Sequence, residues 1–494
     1  MLNRLINFLT PDYSKLKNWM VFLILSIVSL LIRLPFFFRD YIDRDESTFI
    51  LMGQSWVDGH LPYTELWDLK PPMTFMFFAA IIYSFGKSFF AIRLFGALLV
   101  ASTAFFSFKI GADVYSKKVG FWAGIFCVIL QSMFGSIQGV MSEHICMAFF
   151  MPGLYFFIKS DKAHNYLIAG LLMGLAVMTK LNIAYAVLFV GIYIPVLYFK
   201  KNVFFKGLLR FVVYGLGILS IVLLTWLPYY FQGISEVWWK SVVLAALEYA
   251  DARRDLASLA PAFIVLVAFF VWAWQKNYLD FKNIKIQLLL VSLLGVLLSF
   301  YKAGRINSHY LIQLYPILII LIAIIVSKVK IFQRLDYAPY VFFLFVLLPL
   351  ESYLEYFAIA KNKIERGTFY NGEGITVPEY LIKNNLETKN VLFFGYHIGY
   401  WKLGATPPTK AATHPSNICR NELFPYFENP RLKAVDELEH IMNEIRPKIV
   451  VTRKNRLVFH EKMEAENQYV DSYLEVHYKV LATVDGAEIY ERLE

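Results

Sequence analysis

Charge is scarce in this chain. Of its 494 residues only 17% are Asp, Glu, Lys or Arg, against about 25% in a soluble globular protein. That excludes a soluble enzyme of this length. It also excludes a nucleic-acid partner read from net charge alone: much of the +10 excess lies in short loops between apolar runs, where positive-inside bias accounts for it. Cysteine is equally sparse. Cys127 and Cys146 fall in apolar runs and read as small core residues, and only Cys419 lies in polar sequence. The three have no metal-ligand spacing and imply no disulfide framework. No G-x-G-x-x-G and no P-loop occurs, so nucleotide binding has little support. Internal repeats and low-complexity segments are missing. The first apolar run is not followed by a small-residue cleavage site, and it reads as a retained anchor.

What is present in excess is apolar sequence: 58% of residues are hydrophobic and the mean hydropathy is +0.50. Runs of membrane-spanning length follow one another, as in a polytopic α-helical membrane protein. The expected spans are about 18–38, 90–112, 119–135, 140–158, 165–180, 182–199, 208–230, 259–274, 286–301, 308–327 and 338–357, about eleven in all. This assignment leaves Lys117/Lys118, Lys159/Lys162, Lys200/Lys201/Lys206, Lys276/Lys282/Lys285 and Lys328/Lys330/Arg334 on the cytoplasmic side with the N-terminus, and the C-terminus outside. Residues 72–86 are apolar but begin with two prolines and are too short to cross, so an interfacial or re-entrant helix is expected there. The tail, 360–494, has no spanning run. Its pattern alternates E-Y-L-I-K-N-N-L (helix), V-L-F-F-G-Y (strand), D-E-L-E-H-I-M-N-E-I (helix) and K-I-V-V-T (strand), which predicts a small soluble α/β domain. The domains expected are thus a membrane domain over 1–357, carrying a first extracytoplasmic loop at 39–89, and the tail at 360–494.

The loop holds the densest chemistry. Asp43, Asp45 and Glu46 sit where the chain leaves the first span. Ser47–Val57 follows as a short helix opened by a Ser, with Phe49, Ile50, Met52, Trp56 and Val57 available for an apolar face. Then come Gly59-His-Leu-Pro-Tyr63 and Trp67-Asp68-Leu69-Lys70-Pro71-Pro72. Carboxylates at a membrane surface can bind a cation, accept a proton or simply be solvated. The order D-E-S-T-F, then G-H-L-P-Y-x-x-L-W-D-x-K-P-P, resembles the first extracytoplasmic loop of glycosyltransferase family 39. This group includes the protein O-mannosyltransferases and the lipid A aminoarabinose transferase. The resemblance implies the C-type glycosyltransferase fold and a sugar donor carried on a polyprenyl phosphate. It covers the membrane part well and the tail only loosely.

Further polar groups fall at the same expected membrane face. Glu143 and His144 open the fourth span in V-M-S-E-H-I-C-M. An acidic residue at a helix start also complements the dipole. Glu143 resembles the family's second acidic position, where the relatives usually carry Asp, and that departure leaves its role less defined. Lys180, in G-L-A-V-M-T-K-L-N, is either a snorkelling anchor or a partner for an anion. Arg305, His309 and Tyr310 lie in G-R-I-N-S-H-Y-L-I-Q-L-Y-P, whose H-Y-L-x-Q-L-x-P string resembles the family; Arg305, with Lys302, suits a phosphate. Residues 231–258, with Trp238-Trp239-Lys240 and then Asp251, Arg253, Arg254 and Asp255, read as an amphipathic surface helix over the site, the charged end alternatively being solvated. In the tail, F-F-G-Y-H-I-G-Y-W resembles the strand and turn opening the periplasmic domain of some family members, in an acceptor-contacting or a structural role.

The implied reaction is an inverting sugar transfer at the outer face of the cytoplasmic membrane to a lipid, glycan or protein acceptor. Asp45 is the expected general base, with Glu46 or Glu143 orienting. Lys70, Lys180 and Arg305 are expected to meet the leaving phosphate, with His309, Tyr310 and Tyr63 beside the substrate. No cofactor is expected. A divalent metal held by Asp45, Glu143 and His144 stays open as an alternative, since sequence spacing does not give their distances. The rival class is a lipid or sugar transporter or flippase. It predicts a site at the membrane centre and inverted repeats, neither of which the sequence displays.

Overall fold

The computed structural model describes residues 12–40, 42–251, 260–303, 307–330, 347–428 and 430–493. Among them six helices are long and apolar enough to cross a bilayer: Asn18–Phe38, Phe89–Val114, Leu181–Lys200, Phe204–Phe231, Ile284–Ala303 and Ser308–Lys328. Unbroken apolar sequence becomes helix in a membrane because only intra-segment hydrogen bonds satisfy the backbone there. Four other expected spans are occupied by shorter or less apolar helices, Lys117–Leu130, Ser142–Lys159, Ala163–Val177 and Ala260–Gln275. Of the eleventh, 338–346 lies outside the described residues, and 350–357 falls in the helix Leu350–Arg366, which opens with Glu351. The described helices therefore do not fix the count at eleven. Arg253, Arg254, Asp255, Arg305 and the Asp251 side chain are also outside the described residues.

By packing, the chain forms two compact units: 1–34, 93–227 and 253–354 in one, and 35–92, 228–252 and 355–494 in the other. The first is helix on helix. One core joins Val21, Leu25 and Ile32 to Val100, Ala104 and Phe108 and to Phe121, Ile125 and Val128. Its tightest crossings use glycine: a Cβ at Gly217 would stand 2.7 Å from the Leu167 carbonyl oxygen, and one at Gly170 would overlap that of Tyr214. Small residues at crossings let backbones approach, which is how helices associate where lipid removes the hydrophobic drive between them. Arg33, 1% exposed, reaches from the end of the first helix into the turn after Lys117–Leu130. Its guanidinium donates to the carbonyls of Gln131 (3.1 Å), Ile137 (2.9 Å), Gln138 (2.8 Å) and Gly139 (2.7 Å). One planar fork thereby satisfies four carbonyls of an irregular segment.

The second unit gathers the first loop, residues 228–252 and the tail. The loop helix runs Arg44–Val57, three residues earlier than the sequence suggested. The Asp43 carboxylate accepts from the Asp45 amide at 2.8 Å and caps the helix, so Asp45 and Glu46 form its first turn rather than a loop. The helix packs on Pro72–Phe85, whose 14 residues reach only about 21 Å, short of the roughly 30 Å hydrocarbon core. Residues Ser235–Asp251 are helical through a π turn and bury Val237, Trp238, Ser241 and Val242 while Trp239 stays exposed. The tail carries a four-stranded sheet: β1 (Val391–Phe393), β2 (Ile449–Arg453), β3 (Tyr478–Val484) and β4 (Ala487–Arg492), in the order β1-β2-β4-β3. β1 and β2 are parallel; β4 is antiparallel to both β2 and β3. The expected strands are β1 and β2, and the expected helices are Glu373–Lys383 and Ala434–Ile445. The β3–β4 hairpin, turning at Asp485-Gly486 with Asp485 at φ +51, was not foreseen. An Asp-Gly pair between apolar stretches is a hairpin signal.

Gly53 sets the separation of the two loop helices. A Cβ there would lie 2.7 Å from Phe78 Cβ and 2.9 Å from the Ala79 nitrogen. Gly53→Ala is expected to cost about 1–3 kcal/mol by overpacking, read as a lowered melting temperature of the purified protein. An unchanged melting temperature would show that the pair separates freely.

Candidate active site

Two polar clusters stand out, one in each unit. In the second unit the cluster centres on Asp45, at the positive end of the Arg44–Val57 helix. Lys70 Nζ lies 3.3 Å from Asp45 Oδ2 and 4.0 Å from Asp68 Oδ2, with its ammonium 5.3 Å over the Phe49 ring. Tyr63 accounts for Lys70's placement. It is fully buried, sits at φ +72, and donates its hydroxyl to the Lys70 carbonyl at 2.6 Å. Burial pushes the Tyr63 phenol well above its ordinary pKa, so it stays a donor. The Lys70–Pro71 backbone then turns into the next helix with Pro at its first position, where the missing N–H is no loss.

The tail supplies the other half of this cluster. His414 Nε2 lies 3.3 Å from Asp45 Oδ1. His414 Nδ1 accepts from the Ser416 amide at 3.2 Å, so the ring proton sits on Nε2 and points at the carboxylate. His397 Nε2 is 3.0 Å from Thr48 Oγ1, which itself donates to the Arg44 carbonyl at 3.0 Å, making the imidazole the donor. Arg44 donates to Ser416 Oγ at 3.1 Å, and the Trp67 amide to Thr413 Oγ1 at 3.3 Å. Trp67 is fully buried; its indole donates to Ser241 at 3.0 Å and meets Phe427 edge-on at 4.8 Å. Glu46 is buried beside Asp45 in the same helical turn.

In the first unit Glu143 and Lys180, both buried, form an ion pair. His309 Nε2 lies 3.8 Å from the same carboxylate oxygen. Ser142 donates to the other oxygen at 3.0 Å, and Tyr310 places its ring 4.6 Å beneath the Lys180 ammonium. Four residues picked out across more than 160 positions thus meet at one spot. His144 does not join them as a ligand: Nδ1 accepts from the Met141 amide at 3.2 Å and Nε2 contacts the Gln131 carbonyl at 3.1 Å. It fixes the start of its own helix. Among the described residues no group of three His, Cys, Asp or Glu is placed to hold a metal.

Three comparisons bear on this geometry. A family model for dolichyl-phosphate-mannose-protein mannosyltransferases matches residues 69–229. ArnT from Cupriavidus metallidurans, in a crystal structure bound to undecaprenyl phosphate, superimposes with a TM-score of 0.60 at 13% identity, covering 95% of this chain and 98% of that one. Its apo form gives 0.59 at 13%, with 95% and 97% covered. The fold is that of the C-type membrane glycosyltransferases. The family resemblance is borne out; the matched stretch includes Lys70-Pro71-Pro72 and begins after D-E-S-T-F. With the apolar helices, the family model indicates a multi-pass membrane glycosyltransferase. A comparison with curated proteins finds no match.

The sequence expectations include neither His397 nor His414, although His397 lies inside the F-F-G-Y-H-I-G-Y-W string. Nothing in a lone His marks the carboxylate it will face. Burial holds both pKa values below the ordinary 6.5, chiefly through desolvation; for His397 the neighbouring His414 adds to this, and for His414 the Asp45 hydrogen bond opposes it. Groups depressed in the fold contribute stability above the unfolded pKa and lose it as pH falls through the folded value. The protein is therefore expected to melt lower at pH 5 than at pH 7.5, with a shallower slope in the His397→Gln/His414→Gln double variant. Equal slopes would place the acid-labile groups elsewhere.

Proposed function

We propose that the protein transfers a sugar from a polyprenyl-phosphate donor to a hydroxyl of a lipid, glycan or protein acceptor, with inversion, at the outer face of the cytoplasmic membrane. The observation that carries the reading is Asp45, a carboxylate fixed on both oxygens at a helix N-terminus beside the Lys70-Pro71-Pro72 stop. Such a group can act as a general base in one defined direction. In the reaction Asp45 takes the acceptor proton as the acceptor oxygen attacks the anomeric carbon. The bond from that carbon to the phosphate oxygen breaks, and polyprenyl phosphate leaves with the electron pair. Negative charge develops on the phosphate, where cations stabilise it. Lys70, Lys180 and Arg305 have that role, Tyr63 acting through the Lys70 backbone. Glu46 orients the base. Glu143, His309 and Tyr310 hold Lys180 ready for the donor. The undecaprenyl phosphate bound by the structurally similar ArnT supports a donor of this chemistry.

The test is to incubate purified protein with undecaprenyl-phosphate mannose and undecaprenyl-phosphate aminoarabinose and to follow released undecaprenyl phosphate. Asp45→Asn is expected to cost about 10²–10⁴ in rate with folding intact, and Glu46→Gln less. Wild-type turnover by Asp45→Asn would remove the base assignment. Orientation has its own check: a reporter active only in the cytoplasm, fused after Glu494, is expected to stay silent, and strong signal would overturn the outward tail. Lys70→Ala and Lys180→Ala should each impair donor use, non-additively if they share one phosphate. Arg305→Lys should weaken it at constant charge, because guanidinium pairing is bidentate. Variants that lose only thermal stability would mark these residues as anchors.

A further inference from the structure

We infer that His414 is a positioning residue of the transfer reaction, so that the tail completes the active site as well as packing beside it. The inference rests on Asp45 being the base. Asp45 carries two oxygens and has a named donor on each: Lys70 on Oδ2 and His414 on Oδ1, both at 3.3 Å. Lys70 belongs to the same loop as Asp45. His414 does not. Donors on both oxygens fix the carboxylate's plane and therefore the direction of its lone pairs.

His414 is itself held. The Ser416 amide occupies Nδ1 at 3.2 Å, which leaves one tautomer with Nε2–H on the carboxylate. Pro415 follows directly and opens the Pro415–Cys419 turn, with His414 as its capping residue. The flanking residues are anchored on the loop as well: Thr413 accepts from the Trp67 amide and Ser416 from Arg44. One short tail segment thus meets the loop through residues 413, 414 and 416. The other groups around His414 are His397, 6.0 Å away between ring centres, and the charges of Arg420 and Asp68. His414 is 4% exposed, so its ring is held by protein neighbours rather than by solvent. An interface histidine serving only to hold the tail would have no need of the base as its partner.

The two roles separate by reach and by kinetic parameter. Gln places an amide N–H near the position of imidazole Nε2, whereas Asn reaches only to that of Nδ1. Both are neutral amides of similar cost to folding. In full-length protein assayed with the undecaprenyl-phosphate sugar that wild type turns over, His414→Asn is expected to lower kcat by up to about 10²-fold, the scale of a misplaced catalytic group, with KM for the donor little changed. His414→Gln is expected to restore most of the rate. Ser416→Ala, which removes a tail contact to Arg44 and leaves Asp45 untouched, is expected to keep kcat. A signature independent of substrate comes from ¹⁵N-histidine spectra, in which Asp45→Asn should shift one Nε2–H resonance. If Asn and Gln behave alike, if Ser416→Ala falls as far as His414→Asn, or if no histidine resonance responds to Asp45→Asn, His414 only fastens the tail. If Asp45→Asn itself keeps wild-type kcat, the base assignment fails instead.

Discussion

A charge taken out of water must find compensation inside the protein, because an isolated buried ion costs far more than any single contact returns. In a chain this apolar the rule decides most of the polar architecture. Arg33 is surrounded by carbonyls of one irregular turn, Glu143 is matched by Lys180, and Asp45 is matched by Lys70 and His414. Each arrangement fixes backbone that apolar packing alone would leave unspecified. The Arg33 fork shapes the approach to the helix that begins at Ser142, and so helps to set where Glu143 stands. Lys70 needs both the Tyr63 support beneath its carbonyl and the prolines after it. The candidate chemistry is built from the same pairings that make burial tolerable.

Lys180 illustrates how function and burial share residues. Its side chain was expected to seek an anion, and the fold provides Glu143, with Tyr310 beneath the ammonium. A phosphate joining that group would meet a preorganised cation, because the ordering of the lysine is already complete before any donor arrives.

Much of this was legible because it was local or patterned. Asp45, Lys70 and Tyr63 lie in one loop whose motif order survives as spatial order. Glu143, Lys180, His309 and Tyr310 each begin a helix or follow its end, and the apolar runs between them dictate that such ends converge. Ser47 offers a helix cap in the sequence, but Asp43 and Glu46, three apart as in a capping box, mark the actual start. The Asp485-Gly486 turn has a local hairpin signal in the sequence. His414 and Arg33 were not legible: each acts on backbone or a carboxylate far along the chain, and neither carries a local pattern that names its partner. The last expected span, 338–357, is described only from 347 onward.

The bridges from tail to loop have a consequence for biogenesis. His397–Thr48 and Arg44–Ser416 join residues 349 and 372 positions apart, and β2 has β4 beside it only once Ala487–Arg492 has been made. Contacts of such long range form late. During synthesis the Arg44–Val57 helix stands for most of the chain's length without the segment that orients its carboxylate. The cluster around Asp45 is therefore complete only once residues 413–416 have been made, late in the chain's synthesis.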